Sequence, residues 1–121
     1  MPASIEQTQE GIFLLTCTGD LTSAEYARVV RELWAHPAFA PGARVLWDLR
    51  EGTLRWSKEE VRAQARFLEA ERPKVETLVA VVVDSDVSFG LTRMIGGHID
   101  GIPVEISPFS DFDAALAWLR N

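Results

Sequence analysis

The period of hydrophobic and polar positions changes several times along the chain, and each change marks an element. Residues 4–9 are polar around a lone Ile5 and predict a weak edge strand, with a hairpin turn at Glu10-Gly11. Residues 12–18 follow as a β-rich run that is apolar on both faces at its start and stopped by Gly19-Asp20. Tyr26, Val29, Val30, Leu33 and Trp34 then recur at helical spacing, preceded by Thr22 and Glu25 in capping-box register and ended by His36-Pro37. Residues 44–50 form a buried strand that ends in charge, and 51–55 a crossing. A second capping box at Ser57 and Glu60 opens a helix to about Arg72, stopped by Pro73, with Val61, Ala65 and Leu68 on its apolar face.

Residues 77–83 have no polar alternation, as expected of a central strand covered on both faces. A helix follows through Val87, Leu91, Met94 and Ile95, capped by Ser85 or Asp86, with Gly96-Gly97 as its stop. Gly90 within it costs about 1 kcal/mol relative to Ala and predicts close packing against a neighbour or, less commonly, a ligand. After a turn at Asp100-Gly101, residues 103–106 read as an edge strand, and Ser110 caps a last helix through Phe112, Ala115, Leu116 and Leu119. The order ββαβαβαβα predicts one α/β domain over residues 1–121, its sheet mostly parallel with an antiparallel N-terminal hairpin.

Composition narrows the function classes. A formal charge of −6 argues against binding phosphate backbones, so no nucleic-acid partner is expected. The residues following Met1 show neither a basic start nor an apolar run, and the longest apolar run, 78–83, is too short to cross a bilayer. A cytoplasmic protein is the expectation. Cys17, the single cysteine, permits no internal disulfide and reads as a small buried hydrophobe. No cofactor motif stands out: Gly96-Gly97 follows a helix instead of preceding one, and no Gly-x-x-x-x-Gly-Lys or Gly-x-Gly-x-x-Gly loop is present.

Several short segments carry a family resemblance. They are Gly19-Asp20-Leu21-Thr22, Val45-Leu46-Trp47-Asp48-Leu49-Arg50, Trp56 before the second helix, Val79-Ala80-Val81-Val82 and Ala114-Ala115-Leu116-Ala117-Trp118-Leu119. With the element order, they resemble STAS domains and, more closely, the SpoIIAA-like family of small bacterial proteins, also described as STAS- and CRAL-TRIO-related. The resemblance implies a binding or regulatory module. In anti-sigma factor antagonists of this fold, a phosphorylatable Ser lies in an Asp-Ser-Ser-Gly-like turn after this strand. Here the region reads Thr53-Leu54-Arg55-Trp56-Ser57, and Ser57 holds the comparable place, where a helix cap accounts for it.

Candidate chemistry gathers at the strand ends. Asp84-Ser85-Asp86 resembles the strand-Asp-x-Asp signature of haloacid-dehalogenase-type phosphotransferases, but no Lys follows it. Asp48 and Asp84, which would meet if their two strands are neighbours, are the best metal candidates, and with Asp86 they define a metal-dependent hydrolase alternative. Arg55, Lys58, Arg62 and Arg66 share one flank of the second helix, interleaved with Glu as on a solvated surface. Trp56, Phe67, Phe89 and Met94 are not committed to core stripes, and together would line a groove between the second and third helices. The leading expectation is a non-enzymatic module that binds a partner protein or a small apolar, lipid-like ligand near Asp48, Trp56, Ser57 and Asp84. A homodimer is also expected to be possible. The second reading is a phospho-regulated switch at Ser57.

Overall fold

The computed structural model describes residues 3–71, 76–99 and 103–120. Its elements are β1 (Ala3–Gln7), β2 (Phe13–Asp20), α1 (Ser23–Trp34), β3 (Ala43–Thr53), α2 (Lys58–Glu71), β4 (Thr77–Val83), α3 (Asp86–His98), β5 (Val104–Phe109) and α4 (Phe112–Arg120). The strands lie side by side in sequence order, β1 antiparallel to β2 and the rest parallel. Three crossovers running in one direction place α1, α2 and α3 on the same face of the sheet. There Val29, Val30 and Leu33 of α1, Val61 and Leu68 of α2, and Ile95 of α3 pack on Phe13, Leu15, Val45, Trp47, Leu49, Val81 and Val83. The opposite face is covered by α4, whose Ala115 and Leu119 sit on Leu46, Ala80 and Val82. Burial on both faces is why β4 shows no alternation. Among the described residues no helix is long and apolar enough to cross a membrane.

Several local expectations need correction. Strand β2 takes in Gly19 and ends at Asp20, two residues later than expected, because β3 itself runs on to Thr53 and pairs Gly19 with Gly52 and Asp20 with Thr53. Residues 51–53, expected in the crossing, therefore belong to the sheet. A bulge separates the two stretches: Thr16 faces Asp48 while Thr18 faces Glu51, so β3 holds one extra residue. Gly96-Gly97 does not end α3, which continues to His98. Gly96 serves a close approach instead, since a Cβ there would lie 3.3 Å from the Ile106 carbonyl oxygen. Gly90, expected to be tightly packed, is exposed, and a Cβ there would meet nothing within 4 Å.

At α4 the cap is Asp111, whose Oδ2 accepts from Ala114 N–H at 2.9 Å, one residue later than the expected Ser110. Ser107-Pro108 remain in β5, tolerated because that strand is the sheet edge. The Thr22 cap forms, its Oγ1 accepting from Glu25 N–H at 3.1 Å, but the Glu25 carboxylate turns to Arg28 instead of reaching back. The stop at Arg72-Pro73 and the turn at Asp100-Gly101 lie outside the described residues.

Candidate functional site

The structure disperses the predicted site residues instead of gathering them in one place. Trp56 leads into α2 and is buried, with 7% of its surface exposed. Its indole Nε1–H donates to the Leu21 carbonyl at 2.8 Å, pinning the crossing against the end of β2. The indole meets Tyr26 edge-on at a centroid distance of 5.1 Å, and Tyr26 stacks on Trp47 at 5.5 Å and 27°. Phe67 lies on the other side of α2, stacked on Trp34 of α1 at 5.3 Å with the Arg31 guanidinium 4.8 Å above its ring. Phe89 belongs to a shallow cleft with Asp84, Ser85 and Asp86 at the end of β4. Met94 is half-buried against the helix-covered core. These four residues do not assemble one groove between α2 and α3.

The polar candidates are held by local partners. Ser57 and Glu60 close the full capping box: Glu60 N–H donates to Ser57 Oγ at 3.1 Å, and Ser57 N–H donates to Glu60 Oε1 at 3.0 Å. Glu60 Oε2 also accepts from Ser23 Oγ at 3.0 Å, tying the starts of α1 and α2 together. These donors hold the Glu60 carboxyl below its ordinary range. Asp48 is gripped by Arg50 through two bonds, Nε to Oδ1 at 2.9 Å and Nη2 to Oδ2 at 2.8 Å, and accepts the Arg50 N–H at 3.1 Å. Arg50 thereby lowers the Asp48 pKa, and its guanidinium lies 4.5 Å above the Phe112 ring. Asp84 and Asp86 are exposed. Among the described residues no group of three or more His, Cys, Asp or Glu could hold a metal ion. Cys17 is fully buried, and desolvation pushes its thiol pKa up, as befits a packed and unreactive side chain.

Trp56 instead opens onto a feature hidden in the sequence. Two small apolar cavities, each partly open to solvent, lie between the sheet and its three helices. One, of about 30 Å³, is lined by residues that include Leu21, Leu49, Leu54, Trp56, Thr92 and Ile95. The other, of about 40 Å³, is lined by residues that include Val30, Leu33, Trp34, Phe39, Leu68 and Val104. Tyr26, Trp47, Val79 and Ile106 line both, so the Tyr26–Trp47 stack is a partition between them. The first cavity sits toward the C-terminal ends of β3 and β4, the second toward their starts. Sequence reasoning missed Tyr26 and Trp47 because each falls on an apolar stripe that reads as plain core. The available signal was their chemistry, since a Tyr and a Trp on facing stripes bring rings and polar tips into one layer.

The parallel sheet in sequential order, its antiparallel margin and the single helix behind it all agree with one family. The SpoIIAA-like family model matches residues 12–120. The chain belongs to the SpoIIAA-like family. A solved structure with the SpoIIAA-like fold, an uncharacterized protein of the DUF3478 family from Shewanella loihica PV-4, superposes with a TM-score of 0.63 at 21% identity. The match covers 97% of this chain and 91% of that one. No curated protein matches. At that identity the likeness establishes the SpoIIAA-like fold, while the cavities and the aromatic partition are features of this chain's own residues.

Proposed function

We propose that this SpoIIAA-like domain is a non-enzymatic binding module that takes a small, elongated apolar ligand between its sheet and helices. The observation that carries the reading is the pair of pockets that meet end to end at the Tyr26–Trp47 partition. Protein interiors are close-packed, with few voids larger than a water. At about 24 cal/mol per Å³ of unfilled volume, these cavities forfeit about 0.7 and about 1 kcal/mol of packing. An apolar ligand regains that energy and adds the burial of its own surface at about 25 cal/mol per Å². Either cavity alone accommodates only a few heavy atoms. Swinging the Tyr26 ring off Trp47 joins them into a slot along the strands, which suits a chain-like ligand better than a broad one.

The test is an isothermal titration of the chain with the uncharged straight-chain probe 1-decanol, beside the variant Val79→Ile. Val79 lines both cavities, and the added methyl group narrows each. Saturable binding to the parent chain, weakened about tenfold or more in Val79→Ile with the melting temperature maintained, is the expected result. No saturable binding, or equal affinity in both chains, overturns the reading.

A further inference from the structure

The outer face of α3 exposes Val87 and Gly90, and Leu91 and Met94 at its margin pack in part against the core. Val87, 67% exposed, is the one large hydrophobic side chain that is exposed among the described residues. Gly90, Leu91 and Met94 follow it at i+3, i+4 and i+7, with Leu91 and Met94 half-buried. Gly90 has no internal reason to be glycine. It lies mid-helix without a positive φ, where glycine is unfavourable by about 1 kcal/mol relative to Ala, and space beyond its Cα is open. Gly96 on the opposite side of the same helix shows the contrast, since β5 crowds it.

Charge completes the picture. Asp84 and Asp86 are exposed at the start of α3, and Arg93 is exposed two turns on, in none of the ion pairs formed among the described residues. Asp86 and Arg93 are seven residues apart and so lie along the same margin of the helix.

We infer that α3 is the contact face of a homodimer, two copies of this chain packing α3 against α3 in antiparallel orientation with the helices crossing at Gly90. The face is complementary to itself. A two-fold axis at Gly90 sets the two glycines together, where the backbones approach without Cβ atoms between them. It places Val87 of each copy beside Leu91 and Met94 of the other, and brings each Asp86 alongside the opposite Arg93. An isologous pairing of this kind sets the two helix dipoles antiparallel, the start of each helix beside the end of the other. A thirteen-residue helix is about 20 Å long, so the interface is small and the dimer reversible. A heterologous protein is the weaker choice of occupant, because acidic and basic groups at the two ends of one apolar stripe match their own copy under rotation.

Sedimentation velocity of the full chain from about 5 to about 500 µM decides the matter. The expected result is a concentration-dependent monomer–dimer equilibrium. Gly90→Arg, which also improves helix propensity and so preserves the fold, leaves only monomer. Asp86→Arg or Arg93→Asp alone weakens association about tenfold, and the two together restore it, because the pair is reversed rather than removed. Circular dichroism and the melting temperature of each variant confirm the folded monomer. A parent chain that stays monomeric throughout the range overturns the inference. So does a dimer indifferent to Gly90→Arg, which would place the contact elsewhere.

Discussion

Replacing Trp56 by Phe separates the hydrogen bond of this residue from its bulk, and the structure gives the size of each effect. The substitution keeps an aromatic ring beside Tyr26 but removes the Nε1–H that donates to the Leu21 carbonyl at 2.8 Å in a buried setting. Taking the donor from a buried acceptor costs about 1–3 kcal/mol. The missing part of the indole enlarges the adjoining cavity, and an added void of about 40 Å³ costs about 1 kcal/mol more. The expected loss is thus about 2–4 kcal/mol, or a fall of roughly 10 °C in melting temperature for a chain of this size. Urea denaturation followed by far-UV circular dichroism measures it, with an unchanged m-value confirming that the unfolding reaction is the same. Trp118→Phe is the control. That ring is half-buried on the α4 face, tilted against Phe109 at 5.5 Å, and its replacement is expected to cost about 1 kcal/mol or less. A loss below about 0.5 kcal/mol at Trp56, or equal losses at the two sites, refutes the idea that the Leu21 bond anchors the crossing.

Two further outcomes follow from the polar residues. Ser57→Ala removes the Oγ that accepts from Glu60 N–H and is expected to lower stability by about 1 kcal/mol, whereas Ser57→Asp, also a good cap, is expected to be close to neutral in the same urea titration. Asp48 titrates below its ordinary range because Arg50 binds its charged form, so its contribution to stability is present above the unfolded-state pKa near 3.8 and is lost as pH falls through the lower folded value. Urea midpoints across that acid range are therefore expected to fall less steeply with pH in Asp48→Asn than in the parent chain.

The parts of the fold that were legible in the sequence are those set by local chemistry. The range 77–83 agrees with β4 residue for residue, because a strand buried on both faces needs only an uninterrupted apolar run. The caps at Thr22 and Ser57 were legible, and the cap of α3 was narrowed to Ser85 or Asp86, because each rests on a side chain three residues from the amide it serves. What escaped depends on neighbours distant in sequence. Strand β2 passes through Gly19 because Gly52 lies opposite it, and α3 passes through Gly96 because Ile106 leaves room for nothing larger. The site divides the same way. Trp56 and Ser57 stood out as a pair, yet the cavity beside Trp56 exists only where Tyr26 of α1 meets Trp47 of β3. Phe67 was drawn into the wrong group because a helix wheel fixes a residue's flank without saying which neighbour occupies it. That neighbour is Trp34.

The order β1-β2-β3-β4-β5 has a consequence for where any ligand can enter. Doubly wound sheets reverse strand direction of travel midway, and the two crossovers that leave in opposite directions splay apart to open a crevice above the strand tips. Here the chain advances across the sheet without turning back, so adjacent crossover helices stay shoulder to shoulder and no such crevice forms between them. On the proposed binding reading, a ligand that spans both pockets enters from the helix-covered side, and its rate of entry is set by how readily the Tyr26 ring leaves Trp47, a property of protein motion more than of ligand diffusion.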